Sequence, residues 1–131
     1  MFPLLLAAAV HPALMTLSAD FDGDGLADKA TFERIDVKNA QRGDKIYAIV
    51  VRRAADPERK EIVGLTMRAE GLRFVPARMN ADCPTDSDTI AASCVATDAE
   101  TVNGFLLLQN DRPPQLAYWT GDGFRLKKLT P

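Results

Sequence analysis

Four aspartates crowd a short run near the start of the chain, Asp20-Phe21-Asp22-Gly23-Asp24-Gly25-Leu26-Ala27-Asp28. They take positions 1, 3, 5 and 9 of a loop in which Gly25, at position 6, permits a sharp turn and Leu26, at position 7, offers a main-chain carbonyl. Hard oxygen donors at this spacing wrap a divalent cation, and calcium suits their number and flexibility. Carboxylates so close together repel one another, so a bound cation supplies countercharge and orders the loop. The expected ligands of Ca²⁺ are therefore Asp20, Asp22, Asp24, Leu26 and Asp28. Position 12 is Thr31 in place of a bidentate Glu, and a strand-like pattern follows in place of a helix. Both features exclude an EF-hand sensor and set the expected affinity at about 10⁻⁴ to 10⁻³ M. The competing reading is a solvated turn rich in Asp and Gly.

Other chemistry is poorly supplied. His11 is the only histidine and falls within the leader-like stretch, so once that is removed Ser18, Ser87 and Ser93 have no remaining imidazole to activate them. There is no H-E-x-x-H sequence and no glycine-rich phosphate loop. Asp86 with Asp88, or Asp98 with Glu100, offer carboxylate pairs of the kind that hydrolyse glycosidic bonds, but they read first as solvated loop acids. No catalytic residue is assigned. Cys83 and Cys94 enclose ten residues of a polar, acidic segment. In an exported chain they read as a disulfide, stabilising by about 2 to 3 kcal/mol in the chain-entropy model; in a cytosolic chain they would be free thiols. With one His and no third Cys, a zinc site is not expected.

The elements that must hold the loop read as strands. Period-2 alternation runs through Ala30–Ile35, Lys45–Arg52 and Glu61–Met67. Leu72–Val75 reads as the hairpin partner of the preceding strand across Glu70-Gly71, and Val102–Leu108 gives another apolar strand. Leu116–Trp119 and Phe124–Lys127 flank Thr120-Gly121-Asp122-Gly123, a hairpin with strong turn residues. The best helix candidate is one short turn from Asp86 to Ala92, capped by Asp86. The expected fold is all-β, a small antiparallel sheet or sandwich of about seven strands with an N-terminal calcium loop and at most one short helix. Alternation puts Tyr118 and Trp119 on opposite faces, one for the core and the other, with Phe124, a candidate partner surface. Arg52, Arg53, Arg59 and Lys60 form the other candidate surface, although Ala54–Lys60 reads first as a solvated turn.

A chain of 131 residues that is 47% hydrophobic makes one domain with a single core. Net charge is −2, which argues against nucleic acid as a partner. The charge is unevenly spread, however. Arg34 to Arg78 carries 11 basic and 6 acidic residues, whereas Asn80 to Asp111 carries 6 acidic residues and no Lys or Arg. Both stretches read first as solvated faces. Residues 1–13 read as a secretory signal peptide, with cleavage between 9 and 19, leaving 14–131 as the β domain; the alternative is a buried first strand, since no Lys or Arg precedes the apolar run. No membrane span is expected in the mature chain. The expected location is periplasmic or secreted.

The run Ala19-Asp20-Phe21-Asp22-Gly23-Asp24-Gly25-Leu26-Ala27-Asp28-Lys29-Ala30, followed by a strand, resembles the calcium loop of FG-GAP/VCBS repeats, the blade units of integrin-type β-propellers. The likeness covers residues 16–35, a single copy. It implies that Asp20, Asp22, Asp24 and Asp28, with the Leu26 carbonyl, hold calcium. The layout as a whole looks like small periplasmic proteins, some of them similar to inhibitors of lysozyme-like enzymes. The expected role is a protein-binding or inhibitor module facing a protein or a cell-envelope component. The alternatives are an envelope protein in which calcium serves stability alone, and a carboxylate-dependent glycan hydrolase.

Overall fold

The computed structural model describes residues 16–35, 46–66, 71–84, 87–109 and 112–131. The leader ahead of Thr16, the candidate cleavage sites within it, His11 and Asp86 lie outside the described residues.

Among the described residues ten strands form two sheets, and the protein is all-β as its alternation implies. β1 (Thr16–Ala19), β2 (Asp28–Ile35), β3 (Ile46–Arg53) and β4 (Asp56–Thr66) form a four-stranded antiparallel meander in that order. β5 (Arg73–Met79), β6 (Thr89–Ala91), β7 (Val95–Ala96), β8 (Gly104–Gln109), β9 (Arg112–Trp119) and β10 (Phe124–Thr130) form the second sheet, in the order β6-β10-β9-β8-β5-β7. Its one parallel pairing joins β6 to β10. The short strands β1, β6 and β7 raise the count above the seven or so that alternation reveals.

Three local expectations change. The stretch Ala54–Lys60 is a turn only at Ala54 and Ala55; from Asp56 onward it is already β4, paired through Arg53 with Asp56 and Arg52 with Lys60. Pro57 and its charged neighbours disguise a strand because β4 is an edge, where a missing N–H and solvated charges are tolerated. The strand after Glu70-Gly71 does not fold back on β4. It crosses to the other sheet, where Phe74 and Pro76 pair with Leu107 and Phe105 of β8. The short helix is absent from the described part of 86–92. Thr89–Ala91 is strand β6, and only a 3-10 turn without a side-chain cap follows at Ala92–Cys94. Burial of Ile90 under the second sheet and the ladder to β10 outweigh the capping signal.

The main core lies between the sheets, where Phe21, Phe32, Ile49, Val51, Phe105 and Leu107 are buried. A second core covers the far face of the six-stranded sheet. There Ala77, Leu106, Leu116 and Tyr118 pack under Ile90, Cys83 and Cys94. Cys83 and Cys94 are bonded, with an S–S distance of 2.08 Å, so the acidic segment is a clasp closed over that face. Gly104 is required beneath it: a Cβ there would stand 2.0 Å from the Ala117 carbonyl oxygen of the neighbouring strand. No helix among the described residues is long and apolar enough to cross a membrane.

Candidate metal centre

The loop between β1 and β2 is anchored from its second position. Phe21, next to Asp20, is 1% exposed. Its ring packs against Phe105 at 5.3 Å and Phe124 at 6.1 Å between centroids. Burying such a ring stabilises by about 1.5 to 3 kcal/mol, so the loop is pinned into the core between Asp20 and Asp22.

Asp28 closes the loop as the first residue of β2 and is 1% exposed. Its Oδ2 accepts from the amides of Phe21 at 2.8 Å and Asp22 at 3.3 Å. Its Oδ1 accepts from the Ala54 amide at 2.9 Å, in the turn between β3 and β4. One buried carboxylate thus ties both ends of the loop to a turn elsewhere in the sheet. Asp20 accepts from Gly23 at 2.9 Å and Asp24 at 3.2 Å through Oδ1, and from Gly25 at 2.9 Å through Oδ2. The Gly25 amide, with those of Gly23 and Asp24, holds the Asp20 carboxyl below its ordinary range. Gly25 has φ of +88°, a backbone state that L side chains rarely adopt.

Asp22 behaves oppositely. Burial pushes its carboxyl up, the Asp28 charge and the Asp24 carboxylate add to the effect, and the Asp24 amide and Arg53 oppose it. A carboxylate stripped of water beside like charges favours a cation close by.

Asp20, Asp22 and Asp28 each place a carboxylate oxygen within 4.8 Å of the other two, close enough to hold a metal ion together. The donor set is all oxygen and fits a hard divalent cation. The fourth aspartate stands apart from this trio. Asp24 is exposed, and its Oδ1 accepts from the Leu26 amide at 2.8 Å. Leu26 turns its side chain to solvent, so any ligand from it is main-chain. Thr31 faces elsewhere: its hydroxyl donates to Glu33 at 2.8 Å, in a cluster where Glu33 also pairs with Arg52 at 2.5 Å and Lys60 at 3.7 Å.

Arg53 is a neighbour of the loop whose contacts linear spacing does not reveal. Its place in the chain sets it among the basic residues beside the β3–β4 turn, yet its Nη1 lies 3.3 Å from Asp22 Oδ2 and its guanidinium carbon 4.5 Å from the centre of the Trp119 ring. Basic residues beside a tight turn are common on surfaces, so the chain carries no signal that this one folds inward.

The three aromatics separate. Tyr118 is 3% exposed under the disulfide clasp, so of the two alternating aromatics it is the core one. Trp119, half-buried, lies on the other face at the sandwich end and contacts Phe124 at 5.3 Å. The Phe124 amide donates to Glu61 Oε2 at 2.5 Å, fastening the β9–β10 hairpin to β4. A cleft of about 790 Å³ runs beside the loop, lined by Asp20, Asp22, Arg78, Glu100, Asn103 and Trp119 among others. A second, of about 540 Å³, shares Arg78, Asn103, Trp119 and Thr120 with it and continues toward Arg125. Of the carboxylates considered for hydrolysis, Glu100 lines the larger cleft, whereas Asp88 and Asp98 do not. Ser87 and Ser93 are exposed.

Comparison with known protein families, with curated proteins and with solved structures gave no match.

Proposed function

We propose that residues 20–28 bind Ca²⁺ and that the protein is an exported, calcium-stabilised β-domain serving as a protein-binding or inhibitor module. The observation that carries the metal reading is the convergence of Asp20, Asp22 and Asp28 within 4.8 Å, two of them otherwise bonded almost wholly by main-chain amides. The ion supplies the countercharge that three close carboxylates lack. Asp28 is prepositioned by the Phe21, Asp22 and Ala54 amides, and Asp20 by those of Gly23, Asp24 and Gly25. Asp24 and the Leu26 carbonyl complete the set in this reading. Calcium is favoured over magnesium because a flexible, glycine-containing loop tolerates irregular oxygen coordination.

The binding role rests on the clefts beside the loop, where Trp119, Arg78 and Glu100 offer an aromatic face and both signs of charge to a protein partner. The experiment is a thermal melt of the 14–131 chain in EDTA and across a calcium titration, with Asp22→Asn as control. At tenfold excess over Kd, calcium adds about 1.4 kcal/mol, a rise of about 5 °C in midpoint. No shift in the wild type would remove the metal. Lysozyme-type enzymes are then assayed with and without the protein in calcium; unchanged rates and no complex on gel filtration would leave the structural envelope role as the better account.

A further inference from the structure

Arg53 stands where three features of the acidic end meet. Its Nη1 contacts Asp22 Oδ2 at 3.3 Å, its guanidinium lies 4.5 Å from the Trp119 ring centre, and the next amide, Ala54 N, is held by Asp28. The β3–β4 ladder shifts register between Arg52 and Arg53, so the residue sits at an irregular bend. Side chains here are poorly solvated, Asp22 at 5% and Arg53 at 26% exposure. Within the trio, Asp22 is the carboxylate that already faces a protein cation. A divalent ion reached by Asp20, Asp22 and Asp28 must share Asp22 with the guanidinium. Two positive charges a few ångströms apart repel, and more so when one is divalent and water screens little.

We propose that Arg53 is a built-in competitor for the cation: it neutralises Asp22 in the cation-free protein and is displaced from both Asp22 and Trp119 when the ion binds. The inference rests on the calcium reading above and adds a consequence to it. Because Trp119 lines both clefts, filling the loop changes the cleft wall. By linkage, a partner that favours the released position of Trp119 raises calcium affinity by the same factor that calcium raises partner affinity.

The test uses the full chain and calcium itself as the probe. Trp119 is the only tryptophan, so its emission reports the ring without labelling. Calcium is titrated into wild type, Arg53→Gln and Arg53→Lys, with heat of binding and emission recorded separately and far-UV circular dichroism checking that each variant is folded. The expected result is a wild-type emission change that saturates with the binding isotherm. Arg53→Gln binds calcium roughly fivefold or more tightly and loses the emission change, whereas Arg53→Lys keeps the charge and stays nearer wild type. Equal affinities in wild type and Arg53→Gln overturn the competition while leaving calcium binding intact. No isotherm in any of the three proteins overturns the calcium reading itself. Should Arg53→Gln fail to fold, a wild-type emission that stays flat across a measured isotherm overturns the displacement.

Discussion

Asp28 Oδ1 accepts the Ala54 amide at 2.9 Å, joining the end of the acidic loop to the turn between β3 and β4. The same carboxylate also satisfies the Phe21 and Asp22 amides, so it works as a structural knot whether or not an ion is bound. Asp22, pushed up by burial and by its neighbours' charge, is countered by the Arg53 guanidinium at 3.3 Å.

The two acids therefore separate under mutation. Asp28→Ala orphans buried donors and is expected to destabilise by about 3 kcal/mol even in EDTA. Asp22→Asn is expected to change stability in EDTA by less than about 1 kcal/mol and to abolish the stabilisation by calcium. Urea unfolding of both variants with and without calcium checks this, and similar losses in EDTA would refute the division of roles.

The clasp over the second core depends on its bond. Replacing both cysteines, Cys83→Ser with Cys94→Ser, is expected to lower stability by about 2 to 3 kcal/mol. Because Tyr118 and Leu116 lie beneath the clasp, the near-ultraviolet tyrosine signal should change before the calcium response is lost. Denaturant titrations read by tyrosine absorbance and by calcium-dependent midpoint would show that order.

Glu33 supplies a pH dependence apart from the loop. The hydrogen bond from Arg52, with help from Thr31 and Lys60, holds its carboxyl below the ordinary range. A depressed acid contributes stability that is fully present above its unfolded value, near 4.3, and is lost as pH falls through the folded value. Part of the midpoint should therefore disappear as the solution is acidified below about pH 4.3, by less than about 1 kcal/mol because the pair is half-exposed. Glu33→Gln should flatten that limb of a pH series measured in EDTA.

Gly104 tests strand packing directly. With 2.0 Å to the Ala117 carbonyl oxygen and 2.8 Å to the Tyr118 Cα, an added methyl meets main chain that cannot yield. Gly104→Ala is expected to destabilise by about 3 kcal/mol or more, seen as a large fall in urea midpoint. A wild-type midpoint would mean that β8 and β9 are farther apart than described.

Local signals carried much of this architecture. Alternation marked the strands through Phe32, Ile49 and Leu107, because a residue's face in a strand depends only on its neighbours' parity. The turn Thr120–Gly123 was equally plain, and the structure closes it with the Thr120 amide donating to the Gly123 carbonyl at 2.8 Å. Composition and spacing left Cys83 and Cys94 either bridged or free, and the structure bonds them. Edge strands were less legible: charges and Pro57 made the first half of β4 look like a turn, since an edge need not resemble a buried strand.

By itself, the sequence determined the all-β class, the loop with its alternating acids and a pair of cysteines near enough in the chain to be joined, because each is a property of residues close along the chain. Only the tertiary structure decided that β5 crosses to the second sheet, that Asp24 stands outside the trio, that Tyr118 is core and that Arg53 bridges Asp22 and Trp119. Those outcomes depend on which strands pack face to face, and burial and Coulomb interaction act on distances that sequence separation does not encode.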